Sequence, residues 1–267
     1  MTVHLVGAGP GDADLLTLRA ARLLAQADAV VYDRLIGDDI FDMIAPWAEL
    51  IDVGKDPNGK SVTQEDINRI LVEQARKHAC VVRLKGGDPY VFGRGGEEAT
   101  ALAEAGLACT VVPGITSAIA GPATAGIPIT HRGTSSGFTV VTGFQNPNNT
   151  QRLDWDAIAR LGTTLVILMG ASRAATIRQR LLDGGAPADT SVAVITKATT
   201  PDQSIVRLTL TELGEQTIDN PSIIVVGPAA ALELAAVEQR PNRAERPILV
   251  PHTSIRDIQE QGELPWQ

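Results

Sequence analysis

The stretch best suited to chemistry is Val82-Arg83-Leu84-Lys85-Gly86-Gly87-Asp88-Pro89-Tyr90-Val91-Phe92-Gly93-Arg94-Gly95-Gly96-Glu97-Glu98. An apolar run from Cys80 to Leu84 enters a glycine-rich turn that ends on one carboxylate. Glycines at the C-terminal end of a strand let backbone approach a ligand with no Cβ in between. Asp88 can then accept hydrogen bonds from hydroxyls or from an amine. In open α/β sheets ligands sit at this end of the strands. The stretch therefore reads as a small-molecule site built mainly from backbone.

Alternating strands and helices must position that site. In the first half, strands are expected at Val3–Val6, Ala29–Tyr32 (ending at Asp33), Glu49–Val53 (ending at Gly54-Lys55), Cys80–Leu84 and Cys109–Val112. Helices are expected over Leu15–Ala27, capped by Asp12 or Asp14, and from Thr63 to about Lys77. Others follow over Gly96–Ala105 and from near Thr116. Ile67, Ile70, Leu71 and Ala75 fall on one helical face. His131-Arg132-Gly133-Thr134-Ser135-Ser136-Gly137 reads as a linker. The second half predicts strands at Phe138–Thr142, Leu165–Met169, Val192–Thr196, Ile205–Thr211 and Ile223–Val226. Its helices are Trp155–Leu161 and Ala174–Leu182. The reading is α/β, with domains over 1–132 and 138–240 and a Pro-rich, charged tail over 241–267.

A chain of 267 residues can bury a large core. A net charge of −8 argues against general nucleic-acid binding. Between Lys55 and Arg94, however, eight Lys or Arg stand against five Asp or Glu. No apolar run is long enough to span a bilayer, so no membrane partner is expected. The sequence opens directly on a strand, so no signal peptide is expected and the location read is cytoplasmic. Cys80 and Cys109 each open an apolar run; buried free thiols are expected, and no metal-ligand spacing exists.

Two motifs mislead. Val6-Gly7-Ala8-Gly9-Pro10-Gly11-Asp12 resembles a dinucleotide fingerprint, with Asp33 mimicking the ribose acid. Asp12 stands where the third glycine should be, and its charge would repel a pyrophosphate at the helix N-terminus. Pro10 removes a donor as well. Gly54-Lys55-Asp56-Pro57-Asn58-Gly59-Lys60-Ser61 satisfies the phosphate-loop pattern, which would make the chain an NTPase using Lys60 and Ser61. Asp56 and Pro57 spoil that cradle, and Thr63 with Asp66 forms a capping box that starts the helix beyond Ser61.

Taken together, several segments resemble the uroporphyrinogen-III C-methyltransferases, of the tetrapyrrole methylase superfamily. They are Leu5–Asp12, Tyr32–Leu35, Val53–Lys55, Thr63–Asn68, Arg83–Glu98, Val112–Ala118 and Ala125–Arg132. Their order and spacing carry the resemblance to about Val237, and Gly-Arg-Gly-Gly-Glu-Glu points to this member. The resemblance implies two α/β domains with mixed sheets, the cofactor in the inter-domain cleft, and a homodimer. It implies methyl transfer from S-adenosylmethionine to C2 and C7 of uroporphyrinogen III, giving precorrin-2 and S-adenosylhomocysteine. Precorrin-2 leads on to siroheme and cobalamin.

Residue by residue, the resemblance implies cofactor contacts at Pro10, Gly86, Gly87, Asp88, Val91, Thr116, Ser117, Met169 and Ala198. Asp33 takes the place of the proposed general base and Lys55 that of the proposed proton donor. As ends of neighbouring strands they can face one cleft; a structural salt bridge or turn cap is the alternative reading. Arg34, Arg94 and Arg132 flank the motif turns and suit the carboxylates on the tetrapyrrole rim. Arg83 is expected to point elsewhere, because strand side chains alternate. Phe144 replaces a frequent histidine, Leu168-Met169-Gly170 the usual Tyr-Met-Gly, and Gly227-Pro228-Ala229-Ala230 a more usual Gly-Glu-Val-Val. The rival readings are a methylase of a later corrinoid precursor, the NTPase, and a ligand sensor without turnover.

Overall fold

The computed structural model describes residues 1–54, 62–144 and 153–234. The first half runs β1 (Thr2–Gly7), α1 (Leu18–Leu24), β2 (Ala29–Tyr32), α2 (Asp38–Phe41), β3 (Glu49–Asp52), α3 (Gln64–Lys77), β4 (Cys80–Lys85), α4 (Gly95–Glu104), β5 (Ala108–Val112) and α5 (Ser117–Thr124). Its five strands lie in the order β3-β2-β4-β1-β5, and every pairing is parallel. The expected mixed sheet is therefore a correction here. Consecutive strands are joined by helix-bearing crossovers, which can only return the chain parallel. All five strands end on one edge, and that edge carries every motif turn of this half.

The second half runs β6 (Phe138–Thr142), α6 (Trp155–Arg160), β7 (Thr164–Leu168), α7 (Ala174–Asp183), β8 (Ser191–Thr196), β9 (Ser204–Thr209) and β10 (Ser222–Val226). This sheet is mixed, in the order β6-β7-β10-β8-β9. Only β6 and β7, joined through α6, pair in parallel; the other pairs are antiparallel. The segment read as a linker is docked: a bridge joins His131 to Ser135, and the Thr164 amide donates to Ser135 Oγ at 3.0 Å.

Local chemistry explains most element ends. The α3 capping box is present, with the Asp66 amide donating to Thr63 Oγ1 at 3.1 Å. Ile67, Leu71 and Ala75 of its apolar face are buried. Lys60 and Ser61 therefore precede the helix, while the loop 55–61 itself lies outside the described residues, as does the tail 241–267. The helix expected over Leu15–Ala27 is broken in two. Asp12 caps a 3-10 turn, Ala13–Leu15, and Thr17 caps α1 through the Ala20 amide. Leu16 between them is extended, so neither aspartate caps α1. Both cysteines are free thiols but only partly buried, which corrects the buried reading; burial raises both thiol pKa values.

Strand β4 alternates as a two-sided strand must. Val82 and Leu84 pack under α1 and α2. Val81 shares the opposite side with Arg83 and Lys85, under α3 and α4.

Candidate functional site

Three turns meet at the C-terminal edge of the parallel sheet. Gly9 and Gly87 exchange backbone hydrogen bonds, Gly87 to Gly9 at 2.6 Å and Gly9 to Gly87 at 3.1 Å. A Cβ on Gly7 would lie 2.6 Å from both the Gly87 oxygen and Gly114 Cα, so only glycine permits this approach. Asp88 is more occupied than the sequence suggested. Its Oδ1 accepts from the Tyr90 amide at 2.8 Å and its Oδ2 from the Gly114 amide at 3.0 Å. The carboxylate thus ties the β4 turn to the β5 turn, and keeps further lone pairs for a ligand.

Most of the expected cofactor residues converge on this knot. Pro10 lies between Gly9 and Gly11. A Cβ on Gly87 would fall 3.7 Å from Thr116 Cα and 3.9 Å from the Ser117 amide. A Cβ on Gly11 would fall 3.7 Å from the Ala198 oxygen, which brings in the β8–β9 turn from the second sheet. Gly86 packs against Leu35.

Beside the knot lies a cleft of about 940 Å³ between the two halves. The first half contributes Tyr90, Phe92, Arg94, Gly95, Gly96 and Glu97. The second contributes Thr142, Phe144, Met169, Ala171, Ser172 and Asn220. Val91 is exposed between two lining residues but does not itself line the cleft.

Backbone strain marks the same place. Among the described residues, the non-glycine residues with positive φ are Phe92 (55°), Arg94 (60°), Met169 (54°), Lys197 (47°) and Thr199 (68°). The first three line the cleft and the other two flank Ala198. Such conformations cost about 1–3 kcal/mol each and cluster at functional sites.

Arg94 donates to Glu97 through two nitrogens, at 2.8 and 2.6 Å. That bond lowers the Glu97 pKa and raises that of Arg94. Arg34 packs against Gly54, whose missing Cβ would fall 3.1 Å from the Arg34 amide. Arg34 and Arg132 are both exposed, and neither lines the cleft.

Asp33 ends β2, and Tyr32 pairs with both Asp52 and Leu84. It does not line the cleft either. Its partner is a residue the sequence reading set aside: Arg83 Nη2 donates to Asp33 Oδ1 at 2.8 Å. Lys85 Nζ lies 3.9 Å from Asp33 Oδ2. Glu98, fully buried on α4, accepts from Arg83 Nε at 3.0 Å and from Lys85 Nζ at 2.9 Å. Gln64 of α3 reaches the same oxygen at 3.4 Å. Burial, then the Arg83 charge, hold the Lys85 ammonium below its usual pKa, against the opposite pull of Glu98 and Asp33. Arg83 does not line the cleft, yet it holds the catalytic candidate. Lys55, the other candidate, lies outside the described residues.

Residues 2–214 match the family model for tetrapyrrole (corrin/porphyrin) methylases. The chain belongs to this family. It is 47% identical over 243 residues to a Methanosarcina barkeri S-adenosyl-L-methionine-dependent uroporphyrinogen III methyltransferase, covering 89% of this chain and 95% of that one. It is 48% identical over 232 residues to an Edwardsiella ictaluri siroheme synthase, covering 86% of this chain but only 50% of that protein. Among solved structures, a Thermus thermophilus uroporphyrin-III C-methyltransferase complexed with S-adenosylhomocysteine is similar, with a TM-score of 0.76 and 41% identity. That match covers 86% of this chain and 98% of the other. The tetrapyrrole methylase fold is thus established, with one parallel and one mixed sheet.

Proposed function

We propose that the chain is an S-adenosylmethionine-dependent uroporphyrinogen-III C-methyltransferase. It methylates C2 and then C7, releasing S-adenosylhomocysteine and precorrin-2, an intermediate on routes to siroheme and cobalamin. The observation that carries this reading is the knot of backbone turns beside an inter-sheet cleft of about 940 Å³.

The residues present fit the cofactor. Gly7 and Gly114 let the three turns close on one another where a Cβ would clash with neighbouring backbone, and Gly87 keeps a positive φ of 67°, so the knot offers backbone groups to a ligand. Asp88 keeps acceptor capacity beyond its two amide donors. Pro10, Gly86, Gly87, Asp88, Thr116, Ser117 and Ala198 would hold the cofactor from the knot. Met169 would hold it from the cleft side, and Val91 from the turn between Tyr90 and Phe92. When bound, the cofactor supplies a methyl group on a sulfonium, ready for an electron-rich carbon. The chain's own work is positioning and the exclusion of water.

The Asp33 carboxylate takes the proton that the ring gives up after alkylation, and its half-exposed position leaves it accessible. Lys55, next in sequence to Gly54, acts as proton donor. Arg94 is the arginine placed at the cleft for a rim carboxylate, with Arg34 and Arg132 serving more distant ones. Phe92, Tyr90 and Phe144 give the cleft apolar walls for a flat macrocycle. The division into domains at 1–132 and 138–240, a homodimeric assembly and a cytoplasmic location complete the reading. Exposed Ile115, Ile119 and Phe138 supply apolar surface for a second copy. No helix among the described residues is long and apolar enough to cross a membrane.

Mass spectrometry of an anaerobic incubation with S-adenosylmethionine and uroporphyrinogen III tests the proposal. The expected product is two methyl groups heavier. Cofactor binding without any mass gain, together with methylation of a corrinoid precursor, would replace the substrate assigned here.

A further inference from the structure

The buried cluster behind Asp33 goes beyond these assignments. Arg83 is one of the largest fully buried side chains in the protein, and Glu98 is wholly buried. Burying such groups is costly, and packed apolar side chains would serve stability at least as well. Val81, on the same face of β4, is the apolar choice.

The geometry differs from that of a simple ion pair. Arginine–carboxylate pairs are frequently bidentate, two parallel nitrogens meeting one carboxylate. Here the guanidinium is divided. Nε goes to Glu98 and Nη2 to Asp33, while Nη1 meets the Val31 and Leu84 oxygens at 3.4 and 3.3 Å. Every edge of the plane is held, so the direction from which Asp33 is gripped is fixed. Glu98 does this with one oxygen: Oε1 receives Gln64, Arg83 and Lys85, while Oε2 is buried with no hydrogen-bond partner among the described residues.

The same residues support the cleft. Lys85 runs beneath the turn, since a Cβ on Gly93 would lie 3.3 Å from Lys85 Cε. Glu98 sits in the opening turns of α4, whose Gly95, Gly96 and Glu97 line the cleft.

We infer that Arg83 and Glu98, with Lys85, are positioning residues that fix the Asp33 carboxylate relative to the cleft-lining turn of residues 90–97. The inference rests on the methyltransferase reading given above. None of the three lines the cleft, and Lys85 meets the knot only through its backbone, which pairs with Gly7 and accepts from the Ala8 amide at 2.7 Å, so the side chains act through Asp33 and the turn.

Glu98→Gln tests it, because the shape is kept while the charge that holds both cations is removed. The expected result is a kcat lower by on the order of tenfold, with the KM for uroporphyrinogen III and the S-adenosylhomocysteine affinity within about twofold of wild type. Arg83→Lys keeps the charge without the planar fork, and its kcat should fall in the same way. A second readout needs no turnover. The side-chain carboxyl resonance of Asp33, in protein labelled with carbon-13 aspartate, is identified by its loss in Asp33→Asn. It should move in both variants. Variants that melt earlier yet keep wild-type kcat and an unmoved Asp33 resonance would overturn the inference. Wild-type protein with no methyl transfer would instead refute the substrate assignment, and the resonance would still decide whether Asp33 is held by Arg83 and Glu98.

Discussion

The two five-stranded sheets bury different kinds of side chain. In the parallel sheet, β4 sends Arg83 and Lys85 inward to meet Glu98. In the mixed sheet, the described residues bury no charged group; Thr164 and Thr199 are the buried polar ones. Its core of Val141, Leu165, Ile167, Ile177, Leu181 and Ile224 is apolar. One layer is a scaffold that tolerates costly charge at its functional edge. The other is a wall that lends shape to the cleft through Met169, Phe144 and Thr142. The contrast sets a charged cluster on one sheet against an apolar core on the other.

Substitution of single buried groups should expose the difference most strongly. Glu98→Ala removes the buried carboxylate that Arg83 and Lys85 share, and urea denaturation should show a loss of about 3–5 kcal/mol. Ile224→Ala, in the other core, should cost about 2–5 kcal/mol through a cavity. The sharper distinction is catalytic. Turnover by the folded fraction should survive Ile224→Ala and fall in the Glu98 variants. Equal loss of turnover in both would erase the proposed division.

Lys85 offers a pH test of the same contrast. Its folded pKa is held below the ordinary 10.5, chiefly by burial and then by Arg83. The unfolded chain therefore binds the Lys85 proton more readily. The penalty is carried in full below the folded pKa and relieved as pH rises through it toward the unfolded value. Wild-type stability should gain this contribution on the alkaline side, and Lys85→Met should lack it. Denaturation curves across that range would check the sign.

The smallest stability effect belongs to the surface. Arg94 and Glu97 are both about half exposed. Arg94→Ala should change unfolding free energy by less than about 1 kcal/mol. It should instead raise the KM for the tetrapyrrole, since Arg94 lines the cleft. A large drop in stability with an unchanged KM would make the Arg94–Glu97 pair a structural clamp.

Local codes made much of this architecture legible from sequence. Thr63 and Asp66 declared the start of α3, and glycines after apolar runs declared the strand ends. Asp88 was recognisable as the turn's carboxylate, although its tie to the Gly114 amide was not, because Gly114 lies 26 residues away. Strand alternation kept Arg83 off the cleft lining but gave no sign that it would hold Asp33. Its meeting with Glu98 required knowing which face of α4 points inward. A signal existed: Gly95, Glu98 and Leu102 recur at helical spacing and are the buried residues of that helix. The left-handed conformations of Phe92, Arg94 and Met169 had no such signal, because close packing of the turns imposes them. The break between the 3-10 turn and α1 was likewise hidden, since Thr17 competed with Asp12 as a cap.

In the proposed division of labour, Asp33, gripped by Arg83, carries the proton transfer while the glycine knot carries the cofactor. Single-turnover methyl transfer by Asp33→Asn, measured beside its S-adenosylhomocysteine affinity, tests that division. Unchanged affinity is expected, with a rate lower by roughly 10²–10⁴-fold, the usual contribution of a general base. Wild-type turnover in Asp33→Asn, or loss of cofactor binding in step with turnover, would contradict it.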